Sequence, residues 1–231
     1  KGKINAHVDV YLKRTNDLLQ YITTPASTGF QRQLRNSGSV ENKGLEIALD
    51  AMVLSNKDFQ WKTNFNISFN RNKIISLGGD VKEQFASNIS TRDAPFIQRA
   101  GLPIGTLYGY VEDGYFDNEA EVRNSLVYNG QPSNIIKRMI GEIKYRNFDN
   151  DPTSISVNDR VVIGDVNPDY TFGFTNNFKY KSFDLSIFIN GVQGNDIVNM
   201  NSVWNANIGT SKNVTLNNFN GAWKEGADNS N

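Results

Sequence analysis

Gln60-Trp61-Lys62-Thr63-Asn64-Phe65-Asn66-Ile67-Ser68-Phe69-Asn70 is the stretch of sequence that decides the fold. Side chains alternate across a β-strand, so a strand here has its aromatic and aliphatic residues on one face and polar residues on the other. The apolar face holds Trp61, Thr63, Phe65, Ile67 and Phe69. A run of about ten residues is long enough, when tilted, to cross the apolar core of a membrane. The stretch therefore predicts a long strand with one apolar and one wet face.

The same alternation occurs elsewhere and predicts a set of five long antiparallel strands. Residues 170–180 place an aromatic row on one face, with tyrosine at both ends: Tyr170, Phe172, Phe174, Phe178 and Tyr180. Residues 183–191 alternate four large apolar side chains with polar ones: Phe183, Leu185, Ile187 and Ile189. Weaker patterns of the same kind predict strands near 3–13 and 40–53, and the stretch quoted above lies in a strand over 59–70.

The predicted connections alternate between short turns and long loops. Residues 55–58 and 181–182 form tight turns, whereas 14–39, 71–169 and 192–231 are long, polar and rich in Asn, Gly and Ser. Tight turns on one side of a sheet and long loops on the other are typical of outer-membrane β-barrels. Loops of this length are uncommon in a compact soluble domain.

Periodicity alone leaves two architectures open, because the strands of a soluble β-sandwich also alternate. The clean aromatic faces and the asymmetry of the loops favour the barrel. The predicted fold is all-β, with antiparallel strands forming a segment of a large transmembrane β-barrel that has long extracellular loops and one short helix. That helix starts at Asn118, is capped by Asp117, and carries Glu119 and Glu121 in its first turn.

Composition excludes several classes of protein. Cysteine is absent, which excludes a disulfide scaffold, a thiolate zinc site and a cysteine nucleophile. His7 is the only histidine, so no site is built on two histidines. Basic and acidic residues number 24 each, and Lys3, Lys13 and Arg14 are too few and scattered for a nucleic-acid surface. The chain opens on Lys1 without a start methionine, and we expect it to be a piece of a longer protein.

Four blocks of sequence, in this order along the chain, carry a family resemblance. They are residues 39–46 (SVENKGLE), 61–72 (WKTNFNISFNRN), 101–110 (GLPIGTLYGY), and 163–170 with 180–185 and 191–199 (IGDVNPDY, YKSFDL and GVQGNDIVN). Together they resemble the C-terminal barrel of the SusC/RagA-type TonB-dependent outer-membrane receptors. Each block alone is a weak signal, whereas their order and their spread over nearly the whole chain make the resemblance specific.

That resemblance implies an active transporter in the bacterial outer membrane. In such receptors a barrel of about 22 strands surrounds an N-terminal plug, and TonB acts on the plug to release captured solute. The resemblance further implies import of glycans or peptides with a SusD-like surface lipoprotein, contact with outer-membrane lipid, and no cofactor. The plug and the TonB-binding segment are expected in an N-terminal region outside these residues.

An acidic loop is the nearest approach to a metal site. Asn147, Asp149 and Asp151 stand at alternating positions where relatives carry a loop similar to a calcium-binding loop, which uses oxygen ligands and a glycine at its sharp turn. Here Asn147 replaces the first carboxylate, Pro152 replaces the glycine, and the spacing to Asp159 is one residue longer. We therefore interpret the segment as an acidic surface loop and assign no metal ligand.

Two other arrangements bear on catalysis. A cluster of four acidic residues could supply the paired carboxylates of glycoside hydrolysis. Helix capping and solvent-exposed loop charge explain these residues better: Asp113, Asp117, Glu119 and Glu121. A Ser-His-Asp arrangement would need His7, which alternation places in mid-strand on the polar side. We therefore predict no catalytic residue and no enzymatic activity.

The wet faces are predicted to line the lumen, where polar side chains contact solute in passing without forming an assigned substrate site: Lys62, Asn64, Asn66, Asn177 and Lys179. The alternative function is that of a soluble all-β carbohydrate-binding module or adhesin. The two differ in what covers the apolar faces, which meet lipid in a barrel and form the core of a soluble module. The residues concerned are Trp61, Phe65, Ile67, Phe172, Phe174, Ile187 and Ile189.

Overall fold

The computed structural model describes residues 3–23, 26–30, 32–79, 81–85, 96–199 and 213–225. In chain order the strands are β1 (Ile4–Thr15), β2 (Leu19–Thr23), β3 (Arg32–Asn36), β4 (Ser39–Ser55), β5 (Phe59–Ser76), β6 (Glu83–Phe85), β7 (Phe96–Arg99), β8 (Thr106–Gly109), β9 (Glu112–Tyr115), β10 (Ile143–Tyr145), β11 (Val161–Asp165), β12 (Tyr170–Tyr180) and β13 (Phe183–Gln193). The α-helices are α1 (Glu119–Asn124), α2 (Ser133–Arg138) and α3 (Leu216–Asn220), and short 3-10 turns lie at Ala26–Thr28 and Val157–Asp159.

The longest strands form one five-stranded antiparallel sheet in the order β1-β4-β5-β12-β13. Short turns join β4 to β5 and β12 to β13, and Lys181 makes the second turn with a left-handed backbone (φ 54°). The longer connections of this sheet therefore leave it at the opposite end. β1 and β13 are its outer strands, so the sheet is open, as expected for part of a larger barrel.

All five strands lie where the alternation of side chains predicted them, and some run further. β5 continues to Ser76, beyond its predicted end, and pairs there with the start of β4. In this extension Val40 lies opposite Ile74, and both side chains are buried. Residues 70–73 are polar on both faces, which removes the period-two signal from the sequence. Contacts made at this end of the sheet, rather than periodicity, therefore extend the strand.

The chain divides into two compact units. The first, Lys1–Leu107 with Gly164–Asp196, contains the five-stranded sheet and most of the buried apolar side chains: Val40, Ile74, Leu77, Ile97 and Leu107. The second, Tyr108–Ile163 with Ile197–Asn231, has a small core of Phe116, Val122 and Ile136. A further sheet of four short strands has the order β11-β8-β7-β6.

The long connections contain more secondary structure than the single short helix that the sequence predicted. Residues 71–169 contain β6 to β11, α1 and α2, and residues 14–39 contain the β2-β3 hairpin. α2 follows Pro132 and buries Ile136, and α3 lies within the predicted loop 192–231. Helices of six residues or fewer are too short to show a helical period in the sequence. Residues 200–212 and 226–231 of that predicted loop lie outside the described residues.

The cap of α1 is Asn118 rather than the predicted Asp117. The side-chain oxygen of Asn118 accepts a hydrogen bond from the Glu121 amide at 3.0 Å. Asp117 instead accepts one from the indole N–H of Trp223 at 3.1 Å. Asp and Asn are about equally good N-caps, so the residue type does not decide between them. The hydrogen bond with Trp223 engages the Asp117 side chain, and Asn118 caps the helix.

Within the described residues, no helix is long and apolar enough to cross a membrane.

Candidate functional site

One face of the five-stranded sheet is apolar from edge to edge. The register places one row side by side across all the strands: Ala6, Leu49, Phe65, Phe174 and Ile189. The rings of Phe65 and Phe174 meet edge to face, with centroids 6.4 Å apart. Many large side chains on this face stay open to their surroundings, and Val10 is 80% exposed. Such a surface promotes aggregation in water, whereas it is what a barrel wall presents to lipid.

Tryptophan and tyrosine lie near the two ends of this apolar face. Near the short turns, Trp61 stacks on Phe178 with ring centroids 5.6 Å apart. Near the long connections, Tyr170 lies against Phe69 with centroids 5.9 Å apart. Amphipathic rings at both borders of an apolar band are typical of the two interfaces of a membrane. The apolar band therefore has the length and the borders of a membrane-spanning surface.

Asn176 is a polar residue within the apolar face that the sequence analysis did not identify. It shares that face with Phe174 and Phe178 and is only 8% exposed. Its side-chain oxygen accepts a hydrogen bond from the indole N–H of Trp61 at 3.0 Å. A buried amide without a partner is costly, so this bond allows Asn176 to stay on the apolar side. The alternation of β12 does place position 176 on that side, and this signal could have found it.

The opposite face of the sheet is mainly polar, and Phe188 and Val192 of β13 are the large apolar side chains on it within that strand. His7 contacts Asp9 at 2.7 Å, Ser68 donates to Glu46 at 3.4 Å, and Asn64 donates to Asp50. The row through His7 continues over Ala48, Asn66 and Gly173. A shallow depression of about 250 Å³ lies over Ala48, with His7 and Asn66 among its lining residues. The wet face is therefore a surface of paired polar groups rather than a deep binding cavity.

The residues predicted to face the lumen all lie on this polar face: Lys62, Asn64, Asn66, Asn177 and Lys179. Lys62 is directly opposite Asn177, and Asn64 is opposite Thr175. Asn177 also accepts a hydrogen bond from the Ser186 hydroxyl at 2.8 Å. The structure therefore gathers these residues on one surface, on the side away from the aromatic rows.

Asn72 ties the end of β5 to a turn at Ile104. Its side-chain oxygen accepts from the Ile104 amide at 2.7 Å, and its amide group donates to Asn167 at 2.6 Å. Asn167 in turn donates to the Ile104 carbonyl at 2.6 Å, which closes a ring of hydrogen bonds. Gly105 follows in a left-handed conformation (φ 85°), and a Cβ there would lie 2.3 Å from Val166. These contacts give the block 101–110 its architectural role.

Arg71, the residue before Asn72 in β5, also connects the end of this strand to a distant part of the chain. Its guanidinium donates to the carbonyls of Pro168 and Asp169 at 3.0 and 3.1 Å and pairs with the Asp169 carboxylate at 2.8 Å. These bonds hold the residues that precede β12 against the end of β5. A planar guanidinium suits this task because it presents several donors in one rigid fork.

The acidic loop 147–159 is organised around the buried carboxylate of Asp159. Asp159 accepts backbone hydrogen bonds from Ser156 and Phe148 at 2.7 Å and from Asp149 at 3.2 Å. Asp151 accepts from the Thr153 amide and hydroxyl at 2.9 and 2.6 Å. Both carboxylates therefore bind their own loop. Among the described residues, no group of three or more His, Cys, Asp or Glu side chains is placed to hold a metal ion.

These bonds lower the pKa of Asp159 below its ordinary value of 3.8, with the Ser156 amide contributing most, against burial, which raises it. A depressed folded-state pKa stabilises the loop above pH ~4 and loses that effect as the pH falls through the folded value. We therefore expect amide protection at Phe148 and Ser156 to decrease below pH ~4, measured as hydrogen-exchange protection factors. Asp159→Asn should lower protection already at neutral pH, whereas Asp113→Asn should not. Protection that stays constant down to pH ~2 would contradict this role.

The other predicted acids have structural partners. Asp113 pairs with Arg146 at 3.2 Å, and Glu119 pairs with Arg123 one turn along α1. Glu121 pairs with Lys144 at 3.1 Å. His7 lies on the wet face beside Asp9, as its position in β1 predicted. The structure therefore places these groups in ion pairs.

Comparisons with known proteins test the family resemblance. No family model matches the sequence. The chain is 35% identical over 204 residues to the TonB-dependent receptor P26 of Formosa agariphila, a match that covers 86% of this chain and 19% of the relative. It is 28% identical over 192 residues to the TonB-dependent receptor SusC of Bacteroides thetaiotaomicron, a match that covers 80% of this chain and 17% of SusC.

The fold also matches a solved transporter. The structure of the RagAB peptide transporter superposes with a TM-score of 0.65 at 22% identity, covering 94% of this chain and 23% of that chain. The two-faced sheet and these matches define the chain as part of the transmembrane β-barrel of a TonB-dependent receptor. Within that family it belongs to the SusC/RagA type, which confirms the resemblance. The chain spans about a fifth of the length of the curated relatives it matches.

Proposed function

We propose that the intact protein imports glycans or peptides across the bacterial outer membrane together with a SusD-like lipoprotein. The observation that carries this proposal is the sheet with one mainly apolar face that crosses all five strands and an opposite face on which polar residues predominate. The named receptors and the RagAB peptide transporter among the similar proteins support it. In this proposal the chain supplies barrel wall, lumen surface and external structure.

The polar face of the sheet is suited to weak contacts with a passing solute rather than to tight binding. Its polar groups already bind one another, as Ser68 does with Glu46 and Ser186 with Asn177. A solute that touches them exchanges one hydrogen bond for another, and the net gain of such an exchange is small, about 1 kcal/mol. Weak contacts allow a solute to leave again, as transport requires. In this proposal, the energy that releases the solute comes from TonB, which acts on a plug in the N-terminal region. We propose no catalytic role for any residue of this chain.

Deletion of the gene for the intact receptor tests the proposal. We expect the deletion strain to lose growth on one class of glycan or peptide while it grows normally on free monosaccharides and amino acids. The tagged receptor should sediment with the outer membrane and co-purify with a lipoprotein. A receptor found in the soluble fraction, or a deletion that changes growth on no glycan or peptide, would overturn the proposal.

The isolated chain should not behave as a soluble domain. Its sheet has unpaired outer strands, β1 and β13, and an exposed aromatic and aliphatic face. We expect the excised segment to aggregate without detergent, measured by size-exclusion chromatography, while the intact receptor stays monodisperse in detergent. A detergent-free monomer that unfolds cooperatively would instead favour the soluble carbohydrate-binding module or adhesin.

A further inference from the structure

The second unit contains a pocket of about 540 Å³ that plays no part in the wall of the barrel. α1 borders it on one side, and β9 and β10 border it on another, with Asp113, Glu121 and Tyr145 among the lining residues. Its volume falls in the range of ~300–1,000 Å³ that is typical of small-molecule sites. The pocket is therefore large enough for a ligand rather than for single water molecules.

Aromatic side chains form part of the wall. Phe116 and Tyr128 pack edge to face with ring centroids 5.8 Å apart, and Tyr145 is 45% exposed. Rings of this kind combine a flat apolar surface with a polar edge. Burial raises the pKa of the Tyr128 hydroxyl, and Glu142 and Tyr145 add to the effect, so this group is a neutral donor at physiological pH.

The charged groups of the wall are already balanced. Glu121 pairs with Lys144 at 3.1 Å, and Asp113 pairs with Arg146 at 3.2 Å. A ligand with a net charge would therefore find no unpaired opposite charge on these side chains, and it would lose hydration on entering. The pocket accordingly favours a neutral ligand.

Polar groups in the wall still have hydrogen-bonding capacity. Asn147 lines the pocket and donates to the Asp151 carbonyl at 2.9 Å, while its buried Oδ1 accepts no hydrogen bond within the described part of the chain. This oxygen is covered in the free protein, so a ligand hydroxyl reaches it only after the Asn147 side chain rotates toward the pocket, and the new hydrogen bond then removes the cost of an unpaired acceptor. Asn124, at the end of α1, also lines the pocket and presents both a donor and an acceptor.

We propose that this pocket binds a saccharide unit of a neutral glycan. Sugar hydroxyls both donate and accept, which matches the amides of Asn124 and Asn147, and the apolar face of a sugar ring matches the aromatic wall. A peptide is the less suitable ligand, because extended peptides usually bind by pairing with an open strand edge, whereas this pocket is lined by side chains of α1, β9 and β10. The inference deepens the proposed import function, on which it rests for the source of the glycan.

The test uses the intact detergent-solubilised receptor on a printed array of neutral glycans, with an array of uncharged peptides beside it. Asn124→Trp and Ala120→Trp place an indole at exposed positions that line the pocket. Asn129→Trp is the matched control, since Asn129 is exposed in the same unit and does not line the pocket. We expect binding of at least one neutral glycan, a loss of about tenfold or more in both pocket variants, and a change below about twofold in the control.

Equal glycan binding in all variants would overturn the pocket assignment, as would binding to the peptide array alone or to neither array. Trypsin cleavage patterns that match the wild type exclude misfolding, and the pair of pocket variants guards against failure of either one. Growth on the nutrient is measured in the same strains. If the pocket variants bind glycan normally while deletion of the gene abolishes growth, the pocket is wrong and the import function stands. If deletion leaves growth intact, the import function itself fails.

Discussion

Phe65→Arg or Phe174→Arg should lower the free energy of unfolding of the intact receptor in lipid by roughly 2–4 kcal/mol. The two residues are direct partners on the apolar face, near the middle of β5 and β12. A guanidinium at this depth leaves water for hydrocarbon, and no acid on that face is available to pair with it among their described neighbours in the row, Leu49 and Ile189. The measurement is reversible folding into lipid vesicles over a urea titration.

The controls are the adjacent residues of the same strand. Asn64 and Asn66 lie on the wet face, and Asn64 already contacts the Asp50 carboxylate, which an arginine can also bind. Asn64→Arg and Asn66→Arg should therefore change the stability by no more than about 0.5 kcal/mol, as surface substitutions usually do. Equal penalties on both faces would show that protein, not lipid, covers the apolar side.

Replacing residues 110–160 with a short Gly-Ser turn should abolish co-purification of the lipoprotein and growth on the transported nutrient. The replacement is feasible because β8 and β11 are neighbours in one sheet, and the chain leaves and returns along them. The excised part has its own core around Val122 and Ile136. Ordering a backbone costs roughly 1–2 kcal/mol per residue, so we expect a folded unit of this size to bind a partner in addition to stabilising itself.

The barrel should still form in that variant, because the five long strands carry the apolar face. Altered migration of unheated samples in gel electrophoresis measures folding in the membrane, and affinity purification measures the complex. A matched shortening of the β2-β3 hairpin shows whether any loss is specific to residues 110–160. An intact complex with normal uptake after the replacement would mean that this unit only covers the pore.

The long strands and their two faces could be predicted from the sequence because a period of two is recorded in each pair of neighbouring residues. Phe65 and Asn66 therefore point to opposite sides in the structure, as predicted. The alternation of apolar and polar residues ends where β5 is polar on both faces. The last paired residues of β5, around Ile74, were therefore not predicted. Short elements such as α2 were missed for a related reason, since they contain too few residues to show a period.

The sequence by itself determined the five strands, which faces are apolar or wet, and, through its motifs, the family. The tertiary structure alone decided the role of single polar residues. Trp61 and Asn176 are 115 residues apart and share a hydrogen bond on the apolar face. Asp159 became the buried centre of its loop, and Asn118 rather than Asp117 became a cap. Burial of a polar group depends on which donor or acceptor lies opposite, and chain pairing over long separations sets that partner.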